Sequence, residues 1–331
     1  MTERSSGTVV VFAQEADAPV DAVVRELDRR GVTVFRADTA WFPHQLTLDA
    51  RLDPATGRWT GMLATDHRSV ALEDIASIWY RDPSAFRFPD ALTEVERAYA
   101  HREARLGFGG VLAALPVFWV NHPNRAADAM FKPLQLATVA ANGLRVVPTL
   151  VTNSPAAVAR FAGQHGRAGT VCKSFGPNTI TEAGQLKVAY TRRLAERDLT
   201  ELDGVATTAT QLQQWIEKTH EARVVVLGQR MFTITIHADS PAARVDWRAD
   251  FAALSYRFID TPPEIEKGLR RYMDSLGLAY AAVDFAIDTA GRWCFLESNS
   301  SGQYGWLEAQ TGAPITAALA DLLTRGPGSR P

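Results

Sequence analysis

Two runs near the C-terminal end of the chain, Val283-Asp284-Phe285-Ala286-Ile287-Asp288 and Trp293-Cys294-Phe295-Leu296-Glu297-Ser298-Asn299, are joined by Thr289-Ala290-Gly291. Alternation on both sides of a short Gly-containing turn specifies a β-hairpin. With a two-residue loop, at Thr289-Ala290 or Ala290-Gly291, the register places Asp284 and Glu297 on one face, directly or diagonally opposite. Asn299, two residues on, shares that face. Two carboxylates and an amide oxygen converging in this way form an all-oxygen set suited to a hard cation, Mg²⁺ held largely through a substrate's phosphates. Such acids also decorate ordinary solvated strand faces. The rest of the chain has to decide between the two readings.

At 331 residues the chain exceeds one typical core, so two or three packed subdomains are expected. Hydrophobic content of 46% and charged content of 22% are those of a soluble globular protein. A net charge of -2 leaves no electrostatic footprint for nucleic acid or an anionic membrane, so any polyanion bound should be small and locally met. Met1 to Gly7 is polar and runs straight into Val9-Val10-Val11-Phe12, without the parts of a signal peptide. The longest apolar run, Val111 to Val120, is about half a membrane span and contains Pro116. Cys172 and Cys294 both fall in strands predicted to be buried, as small core residues of a cytoplasmic protein.

The chain opens as βαβ. Val9 to Phe12 is a strand, Val20, Val23, Val24 and Leu27 lie at helical spacing before Gly31, and Val32 to Arg36 is the next strand. No G-x-G-x-x-G follows the first strand and no P-loop occurs, which disfavours dinucleotide binding. Leu46 to Leu63 alternates about the turn Asp53-Pro54-Ala55-Thr56-Gly57, a hairpin. The strand Ser77 to Pro83 ends on charged residues, either as an edge with one ion pair or as a substrate-facing floor. Thr93, with Glu94 and Glu96 behind it, starts a charged helix reaching Ala114. Asn124 is expected to cap a short helix, and Pro133 to open another that ends at Gly143, with Lys132 at the junction. Lys173 lies in the apolar strand Thr170 to Phe175, where a lysine either snorkels or meets an anion. Gly176 to Gln185 is a polar loop ahead of a strand Val188 to Arg192; it either folds over phosphates or is a plain hairpin tip. Gln213 to Lys218 is an extended link to the hairpin Ala222 to Leu227 and Met231 to His237. Pro262-Pro263 opens a helix with Ile265, Leu269, Tyr272, Met273 and Leu276 on one face and Gly277 at its end, and a last amphipathic helix runs from Pro314 to Leu323.

Lys132 at a helix start, Lys173 on a strand, Gln214-Trp215-Ile216-Glu217, Glu221-x-Arg223, Asp284 and Glu297-x-Asn299 form an ordered set that resembles the ATP-grasp ligases. The resemblance implies an ATP-grasp fold, α/β and α+β, in which two subdomains clamp ATP. Residues 1–118 would be an N-terminal α/β pre-ATP-grasp domain, 119–212 the central subdomain with its phosphate-covering loop, 213–325 the C-terminal subdomain with the Mg²⁺ site, and 326–331 a frayed tail. Lys132 and Lys173 would hold phosphate oxygens, Gln214 to Lys218 would line the adenine and ribose pocket, Glu221 would be a further cofactor-binding residue, and Asp284, Glu297 and Asn299 would be the Mg²⁺ ligands. A narrower resemblance covers nearly the whole chain. Trp79-Tyr80-Arg81, Trp119-Val120-Asn121-His122-Pro123, Val147-Pro148-Thr149-Leu150, Asp246-Trp247-Arg248 and Gly302-Gln303-x-x-Trp306-x-Glu308 are similar to the ATP-grasp ribosomal peptide maturases, the graspetide synthetases, of the microviridin-ligase and actinobacterial types. Ser300 stands where that family usually has proline, and Glu221 where aspartate is common.

What this implies is a macrocyclase that phosphorylates an Asp or Glu side chain of a ribosomal precursor peptide and joins it to a Thr or Ser hydroxyl as an ω-ester, or to a Lys amine as an ω-amide. Arg223 and Arg248, guanidinium forks suited to a carboxylate or acyl phosphate, are the candidates for holding that second stage; structural ion pairs are the alternative for either. The charged helix Thr93 to Ala114 and the segment Ala85 to Asp90 are candidates for gripping the leader part of the peptide. Two other readings stay open: a ligase adding amino acids to a protein tail or small molecule, and a non-catalytic, nucleotide-regulated peptide-binding module. An exposed helix in the N-terminal half and the resemblance both allow a homodimer.

Overall fold

Val9, Val10, Val11 and Phe12 are all buried in the computed structural model because their strand is flanked on both edges and covered on both faces. The structure describes residues 7–166, 169–176, 179–182, 185–188 and 190–326. The strand β1 (Thr8–Ala13) leads through α1 (Ala18–Arg29) into β2 (Val34–Ala37). Asp17 caps α1 by accepting the Val20 N–H at 3.1 Å, and Val20, Val23 and Leu27 form its buried stripe. A three-stranded antiparallel flap follows, β3 (Thr47–Asp53), β4 (Arg58–Ala64) and β5 (Ser69–Ala71), then β6 (Ile75–Arg81), α2 (Glu94–Ala113) and β7 (Phe118–Val120). The order β2-β1-β6-β7, all parallel, is the α/β sheet expected from the βαβ opening. Thr93 and Glu96 close α2 with a reciprocal capping box.

A second layer begins with α3 (Pro123–Asp128), capped by His122 and not by Asn124; the His122 ring nitrogen accepts the Asn124 N–H at 3.3 Å. Then come α4 (Lys132–Ala141), β8 (Thr149–Thr152), α5 (Pro155–His165) and β9 (Thr170–Lys173). The polar loop expected at 176–185 contains a hairpin of its own, β10 (Thr179–Glu182) paired with β11 (Gln185–Val188); residues 177, 178, 183 and 184 lie outside the described residues. The strand expected at Val188 to Arg192 is instead the end of β11 and the two-residue β12 (Arg192–Arg193). With β13 (Thr210–Gln214), these build the antiparallel sheet β12-β9-β13-β8. Cys172, on β9, is half-buried, unlike the buried Cys294, and both thiols are free.

The third layer is β14 (Lys218–Leu227), β15 (Arg230–Ala238), α6 (Pro241–Val245), β16 (Leu254–Ile259), α7 (Pro263–Leu276), β17 (Tyr280–Asp288), β18 (Trp293–Asn299), α8 (Gly305–Thr311) and α9 (Ile315–Arg325). Its strands are all antiparallel in the order β16-β15-β14-β17-β18. One face, with Ala222, Val224, Val283 and Phe285, packs on α7 and α4. Ile265, Leu269, Tyr272, Met273 and Leu276 are the buried stripe of α7, and Gly277 at φ +63° ends it. The other face, with Val225, Leu227 and Tyr280, shares a core with α1, β1 and the last two helices. N-terminal and C-terminal layers are therefore joined through one continuous core, and the open face of the C-terminal sheet beyond Val225 is where the polar residues gather. Among the described residues no helix is long and apolar enough to cross a membrane.

Candidate active site

The hairpin loop has three residues, not two. Asp288 N–H donates to Arg292 C=O at 3.1 Å and Gly291 lies at φ +75°, so Thr289-Ala290-Gly291 is the loop. Uninterrupted, that register would set Leu296 opposite Asp284. A bulge between Asp284 and Phe285 takes up one extra residue of β18, with Phe285 opposite Phe295 and Asp284 opposite Glu297. Two departures from the expected hairpin thus cancel, and the two carboxylates meet. The hairpin is also no solvated ribbon: β17 lies inside the sheet and Asp284 is 3% exposed.

A buried carboxylate requires partners. Arg223, opposite Asp284 on β14, grips it with two parallel bonds, Nε to Oδ1 and Nη2 to Oδ2, both 2.7 Å. A third N–H of Arg223 reaches Gln303 C=O at 3.0 Å. Its guanidinium lies 5.3 Å from the Trp247 ring and 5.1 Å from the Trp306 ring, two indoles that stack on each other with centroids 5.5 Å apart. Arg248 enters beside it on the 3₁₀ turn Trp247–Ala249, with Nη2 2.9 Å from Glu297 Oε1 and 3.3 Å from Asp284 Oδ2. Lys132, at the first turn of α4, bonds the other oxygen of Glu297. Burial alone would raise the Glu297 carboxyl, but Lys132 and Arg248 outweigh it and hold it at about 2. For Arg248 the order is the same: burial disfavours the cation, and Asp284 and Glu297 overturn that and raise it.

Lys173, at the end of β9, faces the same cleft from the central layer. Burial pushes its ammonium down from the usual lysine range, against the pull of Glu297 and Glu221. Glu221 is pushed up by burial although Lys218 bonds it. A lysine and a glutamate both disfavoured in their charged forms mark a place where an incoming anion and its counter-ion alter the local charge most. Lys218 further bonds Val245 C=O at 3.2 Å and lies 5.2 Å from the Trp215 ring. The link itself is anchored by Gln214 N–H to Pro148 C=O at 3.0 Å and Trp215 N–H to Gly169 C=O at 3.1 Å, leaving Gln214, Trp215 and Ile216 on the wall.

These residues line one open cleft of about 900 Å³. Lys132, Lys173, Gln214, Trp215, Ile216, Glu221, Arg223, Arg248, Asp284, Glu297 and Asn299 all contribute to its wall. Glu217 does not: it is exposed, and its carboxylate turns back to accept the Trp215 indole N–H at 3.1 Å. Asp284, Glu297 and Asn299 offer only oxygen, and among the described residues no cluster of three or more His, Cys, Asp and Glu could hold a metal by itself. Asp284 Oδ1 and both oxygens of Glu297 each accept one bond from Arg or Lys and keep a lone pair, while Asp284 Oδ2 accepts two. The set therefore fits Mg²⁺ that arrives on phosphates, with Asn299 and the phosphates completing the shell.

What sequence reasoning missed is the support beneath the site. Asn121 donates to Tyr280 C=O and Ser300 C=O, both at 2.8 Å, and its own oxygen accepts the Ala279 and Tyr280 N–H groups at 2.8 and 3.0 Å. Arg81 bonds Ser301 C=O and Gly302 C=O, and Gln135 holds both the N–H and the C=O of Ser298 at 3.0 and 2.8 Å. The end of the hairpin is thus clamped from α4, and the segment after it by Arg81 and Asn121 from the ends of β6 and β7. A methyl group on Gly302 would sit 2.5 Å from the Ala282 side chain, so glycine is required there. The signals were the Trp79-Tyr80-Arg81 and Trp119 to Pro123 runs, whose role no periodicity reveals.

Residues 8–127 match the family described as the MvdD pre-ATP grasp domain. No curated protein matches the chain. Among solved structures, a RiPP-associated ATP-grasp ligase of Chryseobacterium gregarium, in complex with ADP and a leader and core peptide, is 27% identical with a TM-score of 0.87, covering 96% of both chains. The macrocyclase MdnC of Microcystis aeruginosa MRC, bound with precursor peptide MdnA, is 28% identical with a TM-score of 0.83, covering 96% of this chain and 98% of that one. MdnB of the same organism is 27% identical with a TM-score of 0.79, covering 97% and 100%. Layers, cleft and likeness together define an ATP-grasp fold with a pre-ATP-grasp domain. Within that class its likeness is to ligases that mature RiPPs.

Proposed function

We propose that this ligase is a peptide macrocyclase that uses ATP and Mg²⁺ to activate Asp or Glu side chains of a ribosomal precursor peptide and closes rings through Thr or Ser hydroxyls, or Lys amines. The observation that carries this reading is the convergence of Lys132, Lys173, Arg248, Asp284, Glu297 and Asn299 on one cleft, in a chain aligned over 96% of its length with ligases solved with leader and core or precursor peptides. Joining a carboxylate to a hydroxyl in water is uphill, and a triphosphate offers the missing free energy. The substrate carboxylate attacks the γ-phosphorus, ADP departs, and an acyl phosphate remains. The acceptor oxygen or nitrogen then attacks the acyl carbon and inorganic phosphate leaves.

Lys132 and Lys173 are suited to phosphate oxygens, and Asp284, Glu297 and Asn299 to the metal, which when bound would neutralise charge on the transferring phosphoryl group. The two arginines differ. Arg223 has 4% side-chain exposure and spends three N–H groups on Asp284 and Gln303, so it fixes the metal-binding face. Arg248 has 29% exposure, and its Nε has no hydrogen-bond partner among the described residues, which suits it to the substrate carboxylate or acyl phosphate. Phosphoryl and acyl transfer of this kind ask little of a protein beyond position and charge. The test is intact mass of the precursor peptide encoded beside the gene, incubated with the protein, ATP and Mg²⁺. Loss of one water per ring supports the reading, and base-labile rings would be esters. An unchanged mass with the peptide demonstrably bound would favour a non-catalytic binding module, and no peptide binding would favour a ligase for small substrates or a protein tail.

A further inference from the structure

Just past the end of strand β6 stands a residue that the chemistry above leaves unused. We propose that Asp82 receives the proton of the acceptor group in the ring-closing step; this rests on the macrocyclase reading. Among the described residues the cleft wall carries five carboxylates, Asp82, Glu221, Asp246, Asp284 and Glu297. Four are already matched to cations: Glu221 to Lys218, Asp246 to Arg248, Asp284 to Arg223 and Arg248, and Glu297 to Lys132 and Arg248. The Asp82 carboxylate has no hydrogen-bond or ion-pair partner among the described residues; only its backbone C=O is held, by the Gln14 side chain at 3.2 Å.

Its position is built. Asp82 is the one non-glycine residue described at positive φ, +48°, a conformation L side chains rarely take. Strain of this sort is kept where surrounding structure overdetermines it. Here Arg81, 2% exposed, is tied to Ser301 and Gly302, Gln14 holds the Asp82 carbonyl, and Pro83 and the Ser84–Asp38 bonds at 2.8 Å fix the chain beyond. The same Arg81 clamp sets Asp82 beside the segment 301–303, whose Gln303 carbonyl touches Arg223. Asp82 is also the only side chain that residues 8–120 contribute to the described wall.

Ring closure calls for such a group. An aliphatic hydroxyl is a poor nucleophile until its proton is removed. As the acceptor oxygen forms its bond to the acyl carbon, its O–H bond breaks and the proton passes to the Asp82 carboxylate. The acyl carbon–oxygen bond to phosphorus then breaks, and the electron pair leaves with inorganic phosphate. For an ammonium acceptor, Asp82 would take the first proton and the departing phosphate the second.

The test separates the two half-reactions. The full chain, D82N and D82E are incubated with the neighbouring precursor peptide, ATP and Mg²⁺, with and without hydroxylamine, which traps an acyl phosphate as a peptide hydroxamate. Asn is tolerated at positive φ about as well as Asp, so D82N keeps the backbone. The expectation is hydroxamate within about twofold of the unaltered enzyme, ring closure lower by about 100-fold in D82N, and partial recovery in D82E. Unchanged ring closure in D82N would overturn the assignment. So would an equal fall of hydroxamate and rings, which would make residue 82 part of phosphorylation or of positioning. If the unaltered enzyme forms neither hydroxamate nor rings, the macrocyclase reading fails and Asp82's role falls with it.

Discussion

Lys173 shows how much a single side chain carries here. It sits at the end of an apolar strand, disfavoured as a cation by burial and without a hydrogen-bond partner among the described residues. A phosphate would repay that desolvation with a charge-assisted bond of about 1.5–3 kcal/mol. Lys173→Met should therefore raise the KM for ATP by roughly 10- to 100-fold, by the same energy, with precursor affinity unchanged. Steady-state ADP release with calorimetry of peptide binding checks both halves, and an unaltered ATP KM would return Lys173 to a structural role. This residue was legible in the sequence because a lysine in an apolar run is anomalous by itself. Arg223 was legible only as a cation. That it lies against the stacked pair Trp247 and Trp306 and is consumed by Asp284 follows from side chains far apart along the chain, which no local pattern records.

At the scale of elements, the hairpin was readable and its register was not. Alternation identified both strands, but whether Asp284 meets Glu297 depends on the sum of a three-residue loop and a bulge. Both are set by backbone preferences that shift a pairing by one residue without changing composition. The apolar stripe of α7 was read residue for residue, since a period of 3.6 bounded by Pro and Gly leaves one solution. The clamp on residues 300–303 is the opposite case, made of Arg81, Asn121 and Tyr280 from separate elements. Because Gly302 presses against Ala282 and Asn299, Gly302→Ala should displace this segment, cost about 1–3 kcal/mol of stability and reduce ring formation more than ATP binding. Urea unfolding and intact mass test this; a variant of full stability and activity would show the segment to be slack.

The whole molecule is held by its last helices, which fill the space between the N-terminal sheet and the C-terminal sheet. An ion network spans the same junction: Arg30 bonds Glu26 and Asp321, and Asp321 also bonds Arg230 at 2.8 Å. Bonds from Arg29 and Arg30 hold the Glu26 carboxyl at about 2, below its ordinary 4.5. A carboxyl depressed in the folded state stabilises fully above its unfolded pKa and loses that contribution as pH falls through the folded one. The Glu26 contribution should then disappear between about pH 4.5 and about pH 2, and Glu26→Gln should flatten that part of the stability curve. Urea midpoints across this range decide it, identical slopes for both proteins being the contrary result. The α/β opening was visible from periodicity and the ATP-grasp order of the remainder from the resemblance its ordered residues carry; the shared core was not, because it pairs the first helix with the last.

Phosphorylation of a peptide carboxylate before a ring closes, as proposed above, leaves a trace that isotope transfer reads. A precursor labelled with oxygen-18 in its Asp and Glu side chains is converted with ATP and Mg²⁺, and the released inorganic phosphate is weighed. One labelled oxygen in phosphate is expected for each ring formed. Rings formed with unlabelled phosphate would contradict it.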